Sequence, residues 1–248
     1  MKYVIRGRRV AVAAAGAAAL LALTACGSDD DGGSEASGGP AQADAVEAMR
    51  SATSVHAVGE MIVVADPAQV DVQTDKKGNC VGSAKEGEKG AVEFVMQGDT
   101  AWLKPDAAYL ESEMMYDAEL IAEVEGSYLE QPKSDVPTAL ADLCNLGTYV
   151  EQTDSVVSFS PEMTQKEKTE HEGVAVVPYV NEDPSTSDGA SMKIAAEGKP
   201  YPVTITDPEG AEVDLAFSAF GKPVKAEAPA AESVLTEDQL SDIRLEQM

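Results

Sequence analysis

The sequence predicts an α+β fold: an antiparallel β-sheet with helices over its apolar face. Three observations carry this. Segments such as 92–96 and 213–217 alternate apolar and polar residues with a period of two. Clusters of Gly, Pro, Asn and Asp separate these segments at short spacing, as in antiparallel sheets and barrels. Other stretches repeat their apolar residues every three or four positions, which is the helical period. A sheet that alternates this cleanly needs a cover for its apolar face.

The chain opens on a basic stretch with Lys2, Arg6, Arg8 and Arg9, followed by an Ala-rich apolar run from Val10 to Leu23. Basic end, apolar run and small residues at the cut make a secretory signal peptide. The run is too short to cross a bilayer, which takes roughly 20 apolar residues. Leu23-Thr24-Ala25-Cys26 closes it. This resembles the lipobox of bacterial lipoproteins, with residues 1–25 as the signal peptide. The resemblance implies a diacylglycerol thioether on Cys26, cleavage before it, and acylation of the new amine by a palmitate-type chain. Two acyl chains anchor firmly where one is marginal, at about 0.8 kcal/mol per buried CH₂. Arg8-Arg9 has poor flanks for twin-arginine export. Residues 26–40 are rich in Gly, Ser and Asp and read as a flexible acidic linker. A single domain is expected over 41–248.

Within that domain, 41–52 reads as a short helix, with Val46 and Met49 three apart. Val55, Ala57, Gly59, Met61 and Val63 then fall on one strand face, with His56, Val58, Glu60, Ile62 and Val64 on the other. Asp66-Pro67 is expected to break this strand, and 70–74 to resume alternation. Lys76-Lys77-Gly78-Asn79 reads as a turn leading to a strand at 80–84. A hairpin follows: Val92, Phe94 and Met96 share a face, Gly98-Asp99 turns, and 100–104 returns until Pro105.

From 106 to 125 the period changes, with Leu110, Met114, Ala118, Ile121 and Val124 on one helical stripe ended by Gly126. Residues 127–131 are short and extended, and 137–144 reads as a helix opened by Pro137. Strands are expected at 156–160, 174–180, 192–196, 201–206 and 213–220. The charged segment 236–248 reads as a frayed helix or a weakly ordered tail.

The formal net charge is −26, from 44 acidic and 18 basic residues, and loss of the basic leader makes it more negative. Such a surface does not seek nucleic acid and is repelled by anionic lipid, which suits a covalent anchor. Acidity also serves solubility. With Cys26 carrying lipid, Cys80 and Cys144 remain, and outside the cytoplasm two leftover thiols form a disulfide. On this reading the bridge staples a helix to the sheet. A metal or redox pair would want a CxxC or a neighbouring His, and neither is present.

Several passages together resemble the actinobacterial lipoproteins related to LppX and LprG, within the LolA-like half-barrels. They are the lipobox, the strand SVHAVGEM, the hairpin AVEFVMQGDTAWLKPDAAYLES, a His-Glu-Gly turn at 171–173, and YPVTITDPEGAEVDLAFSAFGKPVKAEAP. The hairpin carries Gly98, Trp102 and Lys104, and the last passage Phe217, Ser218, Phe220, Gly221, Pro223 and Val224. The resemblance implies a curved antiparallel half-barrel with helices across its concave side and a cavity between them, used in some members to carry acylated lipids. The sheet residues expected to line that cavity are Met61, Val63, Phe94, Met96, Leu103, Leu215 and Phe217. Met114, from the Met-bearing helix, is expected to join them. Methionine suits a filled core or an adaptable lipid mouth equally.

No GxSxG, P-loop, HExxH or dinucleotide fingerprint occurs. Neither His56 nor His171 has a nucleophile at a recognisable spacing, and the Asp29-Asp30-Asp31 run lacks the spacing of a Ca²⁺ loop. No enzyme activity, cofactor or metal is therefore expected. The function expected is a lipid-anchored protein on the extracytoplasmic face of the cell membrane that binds or carries an acylated lipid or glycolipid, as a monomer. The alternative is an envelope interaction or sensor module on the same fold, without a small ligand.

Overall fold

Ten consecutive residues, Ser54–Val63, set the frame (β1). Val55, Ala57, Met61 and Val63 are buried, while Val58 and Glu60 face solvent. This is the period of a strand with one face on a core. The structure, a computed structural model, describes residues 40–63, 66–182, 189–209 and 212–246. The signal segment, Cys26 and the linker up to residue 39 lie outside the described residues, as does Val64.

Helix α1 (Pro40–Ser51) precedes β1, and β2 (Asp66–Asp75), β3 (Cys80–Glu86), β4 (Gly90–Gln97) and β5 (Thr100–Pro105) follow as hairpins. Two short helices, α2 (Ala107–Ser112) and α3 (Ala118–Val124), lead to β6 (Tyr128–Pro132). Helices α4 (Thr138–Leu143) and α5 (Leu146–Phe159) come next. The second half comprises β7 (Thr164–Gln165), β8 (Thr169–His171), β9 (Val174–Val180), β10 (Ser191–Ala195), β11 (Pro202–Asp207) and β12 (Val213–Ser218). The chain ends with β13 (Val234–Leu235) and α6 (Glu237–Glu246).

One open sheet results, in the order β13-β6-β5-β4-β3-β2-β1-β12-β11-β10-β9-β7, with β8 also paired to β9. Pairing is antiparallel except between β13 and β6. The fold is α+β, one large, mostly antiparallel sheet with helices packed against it. Helices α1 and α5 pack on each other and against the β10–β11 and β1 region. Tyr149 of α5 is fully buried, meets the Phe217 ring edge-on at 6.2 Å, and donates its hydroxyl to the Leu143 carbonyl at 2.8 Å. A smaller cluster joins Leu110, Leu120, Val124 and Leu129 to Leu240 and Ile243 of α6. On the outer face, Ala226 packs with Val95 and Trp102.

Gly59 lets the central strands approach. Its φ is +142°, and a Cβ there would lie 2.0 Å from the Asp214 carbonyl oxygen on β12. Only glycine fits a backbone contact that close at that angle.

Cys80, on β3, and Cys144, which closes α4, form a disulfide. It joins sheet to helix, and Thr74 donates to the Cys144 carbonyl beside it at 2.6 Å.

Three sequence expectations are corrected. The strand expected at 156–160 is the last turn of α5, because Leu146, Tyr149, Thr153 and Val156 are buried at helical spacing. The Asn145 side chain caps that helix, accepting from the Gly147 amide at 2.9 Å. The helix expected over 106–125 is two helices. Asp106 caps the first and Asp117 the second, with Met115 between them at φ 59°. Asp66-Pro67 opens β2 rather than ending a strand, Pro67 pairing with Ile62. Proline is tolerated near a strand's start. Of the two readings of the tail, the helix is the one found: α6 forms with a capping box in which the Gln239 side chain accepts from the Thr236 amide at 3.0 Å, and the Thr236 hydroxyl from the Gln239 amide at 3.3 Å.

Candidate functional site

The turn between β2 and β3 is built on one carboxylate. Asp75 accepts from the Lys77 and Asn79 amides at 2.8 and 3.0 Å and from the Asn79 side chain at 2.9 Å. Gly78 completes the turn at φ +78°. This turn faces the end of α1 and the α4–α5 corner, which the disulfide holds against the sheet. Between them is an open cleft of about 670 Å³. That lies within the roughly 300–1,000 Å³ of small-molecule sites.

The cleft has an apolar part made by Ala141, Cys144, Leu146 and Val150. Cys144 and Leu146 belong to the main core, and Ala141 and Val150 pack against it. Of this floor Cys144 and Leu146 are buried, and Ala141 and Val150 are the half-buried part at the margin of the core. Arg50, Lys76 and Lys133 also line the cleft. Lys133 donates to the Gly78 carbonyl at 2.7 Å and Lys76 to the Arg50 carbonyl at 3.1 Å, while Arg50 pairs with Glu47 at 2.8 Å.

The residues expected to line a central cavity occupy another place. Met61, Val63, Phe94, Met96, Leu103, Leu215 and Phe217 are all at least 95 % buried and belong to the main core cluster. Met114 is half-buried where the two larger clusters meet. None of the eight lines the α4–α5 cleft.

A second groove, about 750 Å³, runs along the outer face of β2–β5. Within it Lys104 lies 3.8 Å from Glu93 and over the Tyr128 ring at 5.6 Å. At its margin, three adjacent strands align Ser218, His56 and Asp71. His56 Nε2 lies 2.6 Å from Asp71 and Nδ1 lies 3.3 Å from the Ser218 hydroxyl. The order resembles a nucleophile, base and acid. An acyl-transfer site also needs N–H donors for the developing oxyanion. Here the backbone of β1 is paired to β2 on one side and β12 on the other. His171 ends β8 with Nδ1 3.2 Å from the Lys193 ammonium. Among the described residues no three His, Cys, Asp or Glu side chains gather as metal ligands.

Several solved structures are similar to this chain at low identity. LprF from Mycobacterium bovis is 20% identical over 77% of this chain and 96% of its own, with a TM-score of 0.49. An uncharacterized conserved protein from Thermus thermophilus is 12% identical, over 79% of this chain and 97% of its own, with a TM-score of 0.30. The MucA/MucB complex of Pseudomonas aeruginosa gives 12% identity, 82% of this chain, 60% of the matched chain and a TM-score of 0.29. No family model matches the sequence, and no curated protein matches it.

The sequence reading missed the cleft. Its floor comes from the α4–α5 corner and its cations from α1, the β2–β3 turn and the loop after β6, separated by up to a hundred residues. The visible signals were the Lys76-Lys77-Gly78-Asn79 turn and Cys144, each legible for its local role alone.

Proposed function

We propose that this chain is a lipoprotein held on the extracytoplasmic face of the cell membrane by acyl chains on Cys26, and that its domain binds the acyl part of a lipid or glycolipid in the α4–α5 cleft. The anchor rests on the basic start, the apolar run and the Leu23-Thr24-Ala25-Cys26 box. One observation carries the ligand reading: the half-buried Ala141 and Val150 lie beside the buried Cys144 and Leu146 inside a ligand-sized concavity. Covering apolar surface there gains about 25 cal/mol per Å². Occupancy at the margin leaves the packed interior intact, and the reading requires no catalysis and no cofactor.

The second reading is the interaction or sensor module. The observation favouring it is the same packed interior, filled by the chain's own Phe94, Leu103, Leu215 and Phe217.

Lipid mass spectrometry separates the two. The full chain carrying Cys26→Ser, recovered from outside the cytoplasm, is extracted beside a second sample that also carries Val150→Trp. The lipid-binding reading expects one lipid class at near-stoichiometric amount in the first sample and its loss in the second, with an unchanged melting temperature. A chain that carries no lipid, or holds it equally with the cleft blocked, overturns the reading and leaves the interaction module.

A further inference from the structure

Residues 219–233 leave the middle of the sheet and reach its far edge. β12 lies between β1 and β11 and β13 lies beyond β6, so the chain crosses six strands on the way. The crossing follows the outer face, where Val224 and Ala226 pack with Val95 and Trp102. Its start is fastened: the Gly221 amide donates to the Ser54 carbonyl at 3.2 Å, and the Ser54 hydroxyl to the Lys222 carbonyl at 2.7 Å. Beyond that, among the described residues, 223–229 make no backbone–backbone hydrogen bond.

The segment that arrives is thinly held. Ala226 is the one buried residue among 222–246. β13 pairs through Val234 and Leu235 alone, and α6 buries no residue, whereas α5 buries five. What the segment covers is different. Leu120, Val124 and Leu129 are buried in a cluster that Leu235, Leu240 and Ile243 complete. Without β13, β6 would end the sheet with unpaired backbone. An apolar seat beside an open strand edge needs a cover. A cover with so little burial of its own opens more easily than the sheet beneath it.

We infer that β13 and α6 exchange between two copies of this chain, with 234–246 of each copy seated on β6 and α3 of the other. The seat is particular about its occupant. It takes an extended apolar pair, Val234 toward the outer cluster with Trp102 and Leu235 toward the cluster with Leu129. A helix must follow with Leu240 and Ile243 three apart, and then an arginine: Arg244 lies over the Tyr116 ring at 5.1 Å and donates to its hydroxyl. A second copy carries all of these in order. Exchange preserves every contact of the seat, so the closed and exchanged forms differ in the path of 219–233 and in the entropy of association. The inference is independent of the acyl-binding reading.

Closure within one chain competes at an effective concentration of about 1 mM for a short linker, so dimer is expected to grow in as the chain nears that concentration. Size exclusion with light scattering follows it on the full chain carrying Cys26→Ser. Two variants of that chain make the test specific to the seat. Tyr116→Arg sets a second cation against Arg244, and Arg244→Glu gives the segment an acid there. In the mixture each segment finds a matching seat on the other variant. The mixture is expected to hold about ten-fold more dimer than either variant alone, equivalent to about 1.4 kcal/mol, with one copy of each by native mass spectrometry. Should Tyr116→Arg fail to fold, hydrogen exchange on the parent decides: amides of 234–246 are expected to exchange about a hundred-fold faster than those of β1 to β5.

A parent chain that stays monomeric near that concentration overturns the inference. So does a dimer that forms equally well from each variant alone, because it uses another surface. Protection of 234–246 equal to that of the sheet also overturns it, because the segment then never leaves its seat.

Discussion

Cys80 and Cys144, 64 positions apart in sequence, are covalently joined with their Cα atoms 5.5 Å apart. The bond ties β3 to the corner between α4 and α5, and Cys144 forms part of the cleft floor. Closing a loop of that length restricts the unfolded chain and stabilises the fold by about 4 kcal/mol. Replacing both cysteines by alanine is therefore expected to lower the urea midpoint by the equivalent of about 2 to 5 kcal/mol. Urea denaturation of the double variant beside the oxidised parent checks this. Coincident curves would show that the bridge adds no stability.

Gly59 and Asp214 define a second constraint, since a Cβ on Gly59 would sit 2.0 Å from the Asp214 carbonyl oxygen. Gly59→Ala must push β1 and β12 apart in the middle of the sheet or distort a backbone at φ +142°. A loss of about 2 to 4 kcal/mol is expected, combining overpacking with backbone strain. Thermal unfolding measures it. A variant as stable as the parent would mean that the two strands sit farther apart than described.

Two buried phenols give an alkaline limb to stability. Burial pushes Tyr149 well above the ordinary tyrosine value. Tyr109 rises to about 12 through burial, helped by the charges of Glu113 and Glu86. A phenol that ionises later in the folded chain than in the unfolded one contributes fully below about pH 10 and loses that contribution as pH rises further. Tyr149→Phe also removes the hydrogen bond to the Leu143 carbonyl. It is expected to cost about 1 to 3 kcal/mol near neutral pH and to make the alkaline limb shallower. Urea unfolding at roughly pH 8 and roughly pH 11 reads both effects. An equally steep limb in the variant would remove Tyr149 from the cause.

Most of the sheet was legible because its strands alternate. Phe94, Met96, Leu215 and Phe217 were placed on the apolar face by period alone, and all four are buried. Helix α5 is masked at its C-terminal end by the β-branched Val156-Val157 pair, which reads as strand in a short window. The wider one, with Asn145 as cap and Leu146, Tyr149, Thr153 and Val156 on a stripe, carried the helical signal. The interruption between α2 and α3 has no Gly or Pro to mark it, and Asp117, three residues before Leu120, was its one sequence sign. The Thr236/Gln239 capping box was present in the sequence and outweighed by charge density. The cleft was illegible for another reason. Arg50, Lys76, Lys133 and Val150 come from four separate stretches, and tertiary packing alone makes them neighbours.

The most direct test of acyl binding at the α4–α5 corner is paramagnetic broadening of amide signals by a spin-labelled fatty acid, on the full chain carrying Cys26→Ser. Binding in the cleft predicts broadening centred on Ala141, Leu146 and Val150, relieved by unlabelled fatty acid. Broadening centred instead on Phe94, Leu103 and Leu215, or none at any amide, would contradict it.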